Sequence, residues 1–95
     1  MWILKSNDTS IPCTIRLTLG AKRTFGRGPQ ADFVVNVPLI SRVHCHFSVS
    51  ENGLVVEDLA STNGTFVNNN RIQKSALHAG DILTLASFEL SVIEE

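Results

Sequence analysis

The stretch HCHFSVSENGLVVEDLASTNGTFVNN, His44 to Asn69, decides how the chain is read. In its first seven residues Cys45, Phe47 and Val49 alternate with His44, His46 and Ser48. That period of two belongs to a strand with one buried face. Asn52-Gly53 then breaks the chain, an apolar run LVVEDL follows at 54–59, and a third, TFV, stands at 65–67. Between the last two lies STNGT, Ser61 to Thr65, five small polar residues where a two-residue turn would join the strands. Such a loop either just turns the chain or offers hydroxyls, amides and backbone N–H groups to something that accepts hydrogen bonds.

The same alternation recurs outward from this centre. In TIRLTLG (14–20) Ile15, Leu17 and Leu19 share a face, in FVVNV (33–37) Phe33, Val35 and Val37, and in FELSVIEE (88–95) Phe88, Leu90 and Val92. Shorter apolar pieces are WIL at 2–4, TFG at 24–26 and DILTL at 81–85. Gly20, Gly28-Pro29, Pro38, Asn63-Gly64, Asn68-Asn69-Asn70 and Gly80-Asp81 punctuate them as turn signals. No stretch sustains helical periodicity beyond about one turn. About ten or eleven short strands in one small domain predict an all-β sandwich of two packed antiparallel sheets. There is no linker, repeat or low-complexity tract, so residues 1–95 read as one domain.

Composition narrows the function. Of 95 residues 43% are hydrophobic and 18% charged, and the formal net charge of -1 argues against direct nucleic-acid binding, which calls for a basic surplus. No apolar run approaches the roughly 20 residues that span a membrane, so no membrane partner is expected. The start, MWILKSND, has neither a basic segment nor a long apolar one, so the chain reads as not secreted. Cys13 and Cys45 are then free thiols in a reducing compartment, and the triplets Asn7-Asp8-Thr9 and Asn63-Gly64-Thr65 are chance matches to a glycosylation acceptor.

The unusual residues lie between strands. FGRG ends one at Arg27, PLISRVH carries Ser41, Arg42 and His44, and LASTNGT carries Ser61, Thr62 and Asn63. An arginine fork, hydroxyl donors and turn amides suit an oxyanion with several acceptor oxygens, above all phosphate. Each residue also has a plain reading. Arg27 and Arg42 could be solvated charges, and Ser41, Thr62 and Asn63 simple turn formers. His44 and His46 have metal-pair spacing but no third ligand. Ser41 or Ser61 with His44 and Asp58 supplies the residue types of a hydrolase triad, without a nucleophile elbow. The chain is therefore expected to be no enzyme and to need no metal or cofactor.

The pieces GR at 26–27, SRVH at 41–44, STNGT at 61–65 and GD at 80–81, in that order and strand context, resemble the forkhead-associated (FHA) domain. The resemblance covers essentially the whole chain. It implies an eleven-stranded sandwich that binds phosphothreonine peptides through loops at one end. Arg27 resembles the arginine that grips the phosphate, Ser41 the serine that donates to it, and Arg42 a second basic contact. Thr62 resembles the donor from the second loop, and Asn63 the asparagine that holds the peptide backbone. Gly26 and His44 match positions that shape the loops without touching ligand, and Gly64 permits the tight turn. Two departures stand out: Cys45 replaces a small residue, and Leu39 is apolar where some relatives carry a basic residue that selects an acidic ligand side chain. The MWIL start resembles nibrin-like DNA-damage checkpoint adaptors, which implies a nuclear, otherwise cytoplasmic, location and an N-terminal domain of a longer protein. The alternative is an FHA fold used for phosphate-independent contact or homodimerisation through a sheet face.

Overall fold

Eleven strands and no helix make up the computed structural model, which describes residues 1–95. One sheet has six strands, in the order β2 (Thr14–Leu17), β1 (Trp2–Ser6), β11 (Phe88–Glu94), β10 (Ile82–Leu85), β7 (Thr65–Val67) and β8 (Asn70–Ile72). The other has five, β4 (Phe33–Val34), β3 (Lys22–Gly26), β5 (Cys45–Ser50), β6 (Gly53–Asp58) and β9 (Lys74–Leu77). Every neighbouring pair is antiparallel except β3 with the two-residue edge strand β4, which run parallel.

The alternating residues supply the core. Cys45, Phe47 and Val49 of β5 and Phe88, Leu90 and Val92 of β11 are buried, as the period of two predicts. Phe25 and Phe47 meet edge to face with ring centroids 6.3 Å apart. Each such ring contributes roughly 1.5–3 kcal/mol by leaving water. Trp2, Ile3 and Leu4 are all buried on β1.

Three details differ from the pattern. Leu19 is 68% exposed and does not continue the face of Ile15 and Leu17. The strand stops at Leu17, and the Ala21 N–H donates to the Thr18 carbonyl at 3.0 Å to close a turn through Gly20. In FVVNV only Phe33 and Val34 join the sheet. Val35, whose N–H donates to the Gly26 carbonyl at 3.0 Å, and Val37, at the head of a turn closed by the Ile40 N–H on the Val37 carbonyl at 3.0 Å, are buried beyond the strand. His44 does not share the half-buried setting of His46 and Ser48: it precedes β5 and is wholly buried.

Strand register sets the working end. Phe25 lies opposite Cys45, Cys45 opposite Asp58, and Leu85 opposite Thr65. The connections 27–44, 59–64 and 86–87 therefore leave the sandwich at one end. There the Ala86 N–H donates to the Gly64 carbonyl at 3.0 Å.

Candidate functional site

The arm from β3 and the connection before β5 are held together backbone to backbone. The Arg27 N–H donates to the Ser41 carbonyl at 3.0 Å, and the Gly28 N–H to the Arg42 carbonyl at 2.9 Å. Gly26 is required by this approach, since a Cβ there would sit 2.1 Å from the Arg42 carbonyl oxygen. The Arg27 Nε donates to the Ile40 carbonyl at 3.0 Å. That single bond fixes the guanidinium and leaves both terminal amino groups without a protein acceptor.

Three further bonds tie this arm to STNGT. The Thr62 N–H donates to the Ser41 Oγ at 3.1 Å, so the Ser41 hydroxyl keeps its own proton for another acceptor. The Asn63 Nδ2 donates to the Leu39 carbonyl at 2.8 Å. His44 lies beneath and joins both sides: its Nδ1 accepts from the Ser41 N–H at 3.1 Å, and its Nε2 lies 2.9 Å from the Gly64 carbonyl. Since that carbonyl can only accept, Nε2 carries the proton. Both ring nitrogens are thus used by backbone, and no hydroxyl is paired with the imidazole.

STNGT itself turns around Asp58. One carboxylate oxygen accepts from the Ser61 and Thr65 hydroxyls, the second from the Ser61 N–H at 3.1 Å. The Ser61 Oγ in turn accepts from the Gly64 N–H at 3.1 Å. Burial pushes the Asp58 carboxyl up, but the Ser61 and Thr65 donors outweigh it and hold the group below the usual carboxylate range. Ser61 is spent on this brace. The Ser, His and Asp of the hydrolase pattern are therefore brought close without forming a hydroxyl–imidazole–carboxylate chain.

The structure brings Arg27, Ser41, Arg42, Thr62 and Asn63 to one surface, with all but the half-buried Ser41 exposed. Gly26, His44 and Gly64 lie buried beneath it. Neither arginine has an acidic partner: the ion pairs of the molecule are His46 with Glu57 and His78 with Asp81. No group of three or more His, Cys, Asp or Glu side chains is placed to hold a metal. Cys13 and Cys45 are unpaired, and burial raises both thiols above their ordinary pKa.

Sequence reasoning missed two contributors. The Asp58 brace was legible as a carboxylate three residues before a serine, an arrangement that favours local side-chain-to-backbone bonds. Arg71 on β8 gave no local signal. It reaches STNGT because the register pairs it with Phe66, and a Cβ on Gly64 would lie 3.0 Å from its Nε.

The FHA domain family model matches residues 23–86, and the chain belongs to that family. The ATP-binding/permease protein Rv1747, an ABC transporter of Mycobacterium tuberculosis, is 38% identical over 77 residues, 81% of this chain and 9% of its own length. The glycogen accumulation regulator GarA of the same species is 34% identical over 65 residues, 68% of this chain and 40% of its own. The chain thus spans less than half of these relatives. Among solved structures, the FhaA FHA domain complexed with the intracellular domain of Rv3910 has a TM-score of 0.87 at 34% identity, covering 97% of this chain and 99% of that one. A structure solved in a study of phosphothreonine-dependent FHA domain interactions has a TM-score of 0.89 at 33% identity, covering 99% and 96%.

Proposed function

We propose that this chain is a phosphothreonine-peptide reader that couples a larger protein to a phosphorylated partner. The observation that carries the reading is the state of Arg27: anchored through Nε, with its terminal amino groups unused, beside a Ser41 hydroxyl still free to donate. A phosphate dianion at that place would gain charge-assisted bonds from Arg27, Ser41, Arg42 and Thr62. Arg27 is already held by its Nε bond and the Ser41 hydroxyl by the Thr62 N–H, so these two lose little entropy on binding. Asn63, committed through one Nδ2 proton, keeps its second proton and its Oδ1 for the peptide backbone beside the phosphothreonine. The phosphothreonine-dependent interactions studied with a similar FHA domain support the same ligand class.

The finer assignment to a nibrin-like nuclear adaptor draws no support from the relatives described above, which are bacterial. A phosphoprotein partner in a regulatory role is the reading we favour, and a relative named as a regulator, GarA, supports the regulatory part of it. Calorimetric titration of a phosphothreonine peptide into wild type and Arg27→Ala tests the proposal. Each charge-assisted bond lost removes about 1.5–3 kcal/mol, roughly ten- to hundred-fold in affinity. Equal affinity in the variant, or equal binding of the unphosphorylated peptide, would leave Arg27 a surface charge and favour phosphate-independent contact.

A further inference from the structure

Arg71 is the one guanidinium lying against the loop that resemblance and geometry both place at the ligand, yet the phosphate clamp does not use it. It enters from β8, the edge of the six-stranded sheet, whereas Arg27 and Arg42 belong to the arm from the five-stranded sheet. The turn that delivers it is tight, with Asn68 and Asn69 at φ of 50° and 71°. Such φ values at both central positions belong to the hairpin turn that holds β7 and β8 in fixed register. Register sets Arg71 opposite Phe66, and from there the side chain folds across Gly64. A Cβ on Gly64 would meet the Arg71 Nε at 3.0 Å and Cζ at 3.1 Å, so the missing side chain makes the groove in which the guanidinium lies. Arg71 is exposed, makes no hydrogen bond to the protein and has no ion-pair partner. Its charge therefore stands free beside Gly64, delivered from the six-stranded sheet, whereas Arg27 comes from the other one.

We infer that Arg71 is a specificity-determining residue: it reads a second anionic group, a carboxylate or a second phosphate, carried by the peptide beside the phosphothreonine. This rests on the phosphothreonine reading above. Asn63, which would hold the peptide backbone, adjoins Gly64, so an acidic side chain beside the phosphothreonine comes within reach of the guanidinium, whose planar fork suits bidentate oxygens. Leu39 offers no charge to a flanking side chain, and Arg27 and Arg42 are assigned to the phosphate, so Arg71 is the guanidinium left for a second anion.

The test is a set of matched phosphothreonine peptides with Asp, phosphoserine or Ala at each flanking position in turn, titrated into wild type and Arg71→Gln, with thermal melts of both proteins. Wild type should prefer the acidic peptide at one position by about three- to five-fold over Ala, the range of an exposed ion pair, and by more for phosphoserine if the second anion is a phosphate. Arg71→Gln should bind the Ala peptide as wild type does, lose the preference and melt unchanged. Wild type without an acidic preference, or a preference that survives in Arg71→Gln, overturns the inference. So does an equal loss on every peptide: with a lowered melt Arg71 is a brace for Gly64, and without one it is a ligand of the first phosphate. If no phosphothreonine peptide binds wild type at all, the underlying reading fails with it.

Discussion

Replacing His44 by alanine separates bracing from binding, because the imidazole is wholly buried and both its nitrogens are spent inside the protein. The variant loses two hydrogen bonds of about 1 kcal/mol each, and it leaves the Ser41 N–H without a partner, at about 1–3 kcal/mol, whereas the Gly64 carbonyl keeps the Ala86 N–H. The emptied ring volume adds a cavity cost that an entering water would partly offset. About 3 kcal/mol is the conservative total, a large share of the 5–15 kcal/mol that keeps a domain folded. For a domain of this size that lowers the melting temperature by at least about 12 °C. Scanning calorimetry reads the melt, and hydrogen exchange at the Ser41 amide reports whether its local bond has gone. Affinity measured well below the new melt should fall by less than about ten-fold, since every proposed phosphate donor remains. A melt unchanged to within about 2 °C together with lost binding would refute the reasoning and make His44 a ligand contact.

Gly26→Ala should cost about 3 kcal/mol or more in denaturant melts and weaken phosphopeptide binding, since a Cβ placed 2.1 Å from the Arg42 carbonyl must push the two arms apart. The pH dependence follows from Asp58, whose carboxyl its donors hold below the ordinary range despite burial. A depressed native pKa gives stability that is present above the unfolded value of about 3.9 and is lost as pH falls through the native one. Melting temperature should therefore drop below about pH 4, and Asp58→Asn, already less stable at neutral pH, should drop less steeply; parallel pH profiles would remove Asp58 from the account. Phosphothreonine should bind about ten-fold more tightly than phosphoserine in one peptide, because the FHA resemblance implies a notch between the Ser41–His44 and Thr62–Asn63 loops in which burying the extra methyl would contribute about 1–3 kcal/mol. Equal affinities in matched titrations would show that no such notch exists.

Much of the sandwich was legible because its central strands carry the alternation themselves. Cys45-Phe47-Val49 and Phe88-Leu90-Val92 are buried in both readings. Strands β8 and β9 were not legible: Asn70–Ile72 and Lys74–Leu77 contain one fully buried residue between them, Leu77, because they are edge strands held by ladder bonds. Leu19 misled for the opposite reason, continuing the alternation past the strand's end at Leu17 into the turn that the Ala21 N–H closes on the Thr18 carbonyl. At the candidate site, residue types and order pointed to Arg27, Ser41, Arg42, Thr62 and Asn63, which the structure brings to one surface, since a phosphate would call for such donors wherever the loops come from. The sequence could not disclose Arg71, which is brought to Gly64 by cross-strand register and not by any local pattern.

The two ends of the chain meet at one corner. The Met1 ammonium and the Glu95 N–H each donate to the other residue's carbonyl at 2.8 Å, where β1 starts and β11 stops. β1 runs from there toward the end that carries STNGT and β11 returns from that end, so the corner is the far one. The domain is therefore mounted like a lamp on a bracket. Polypeptide fused to either end, or to both at once, leaves from the end opposite the surface that carries Arg27, Ser41 and Asn63.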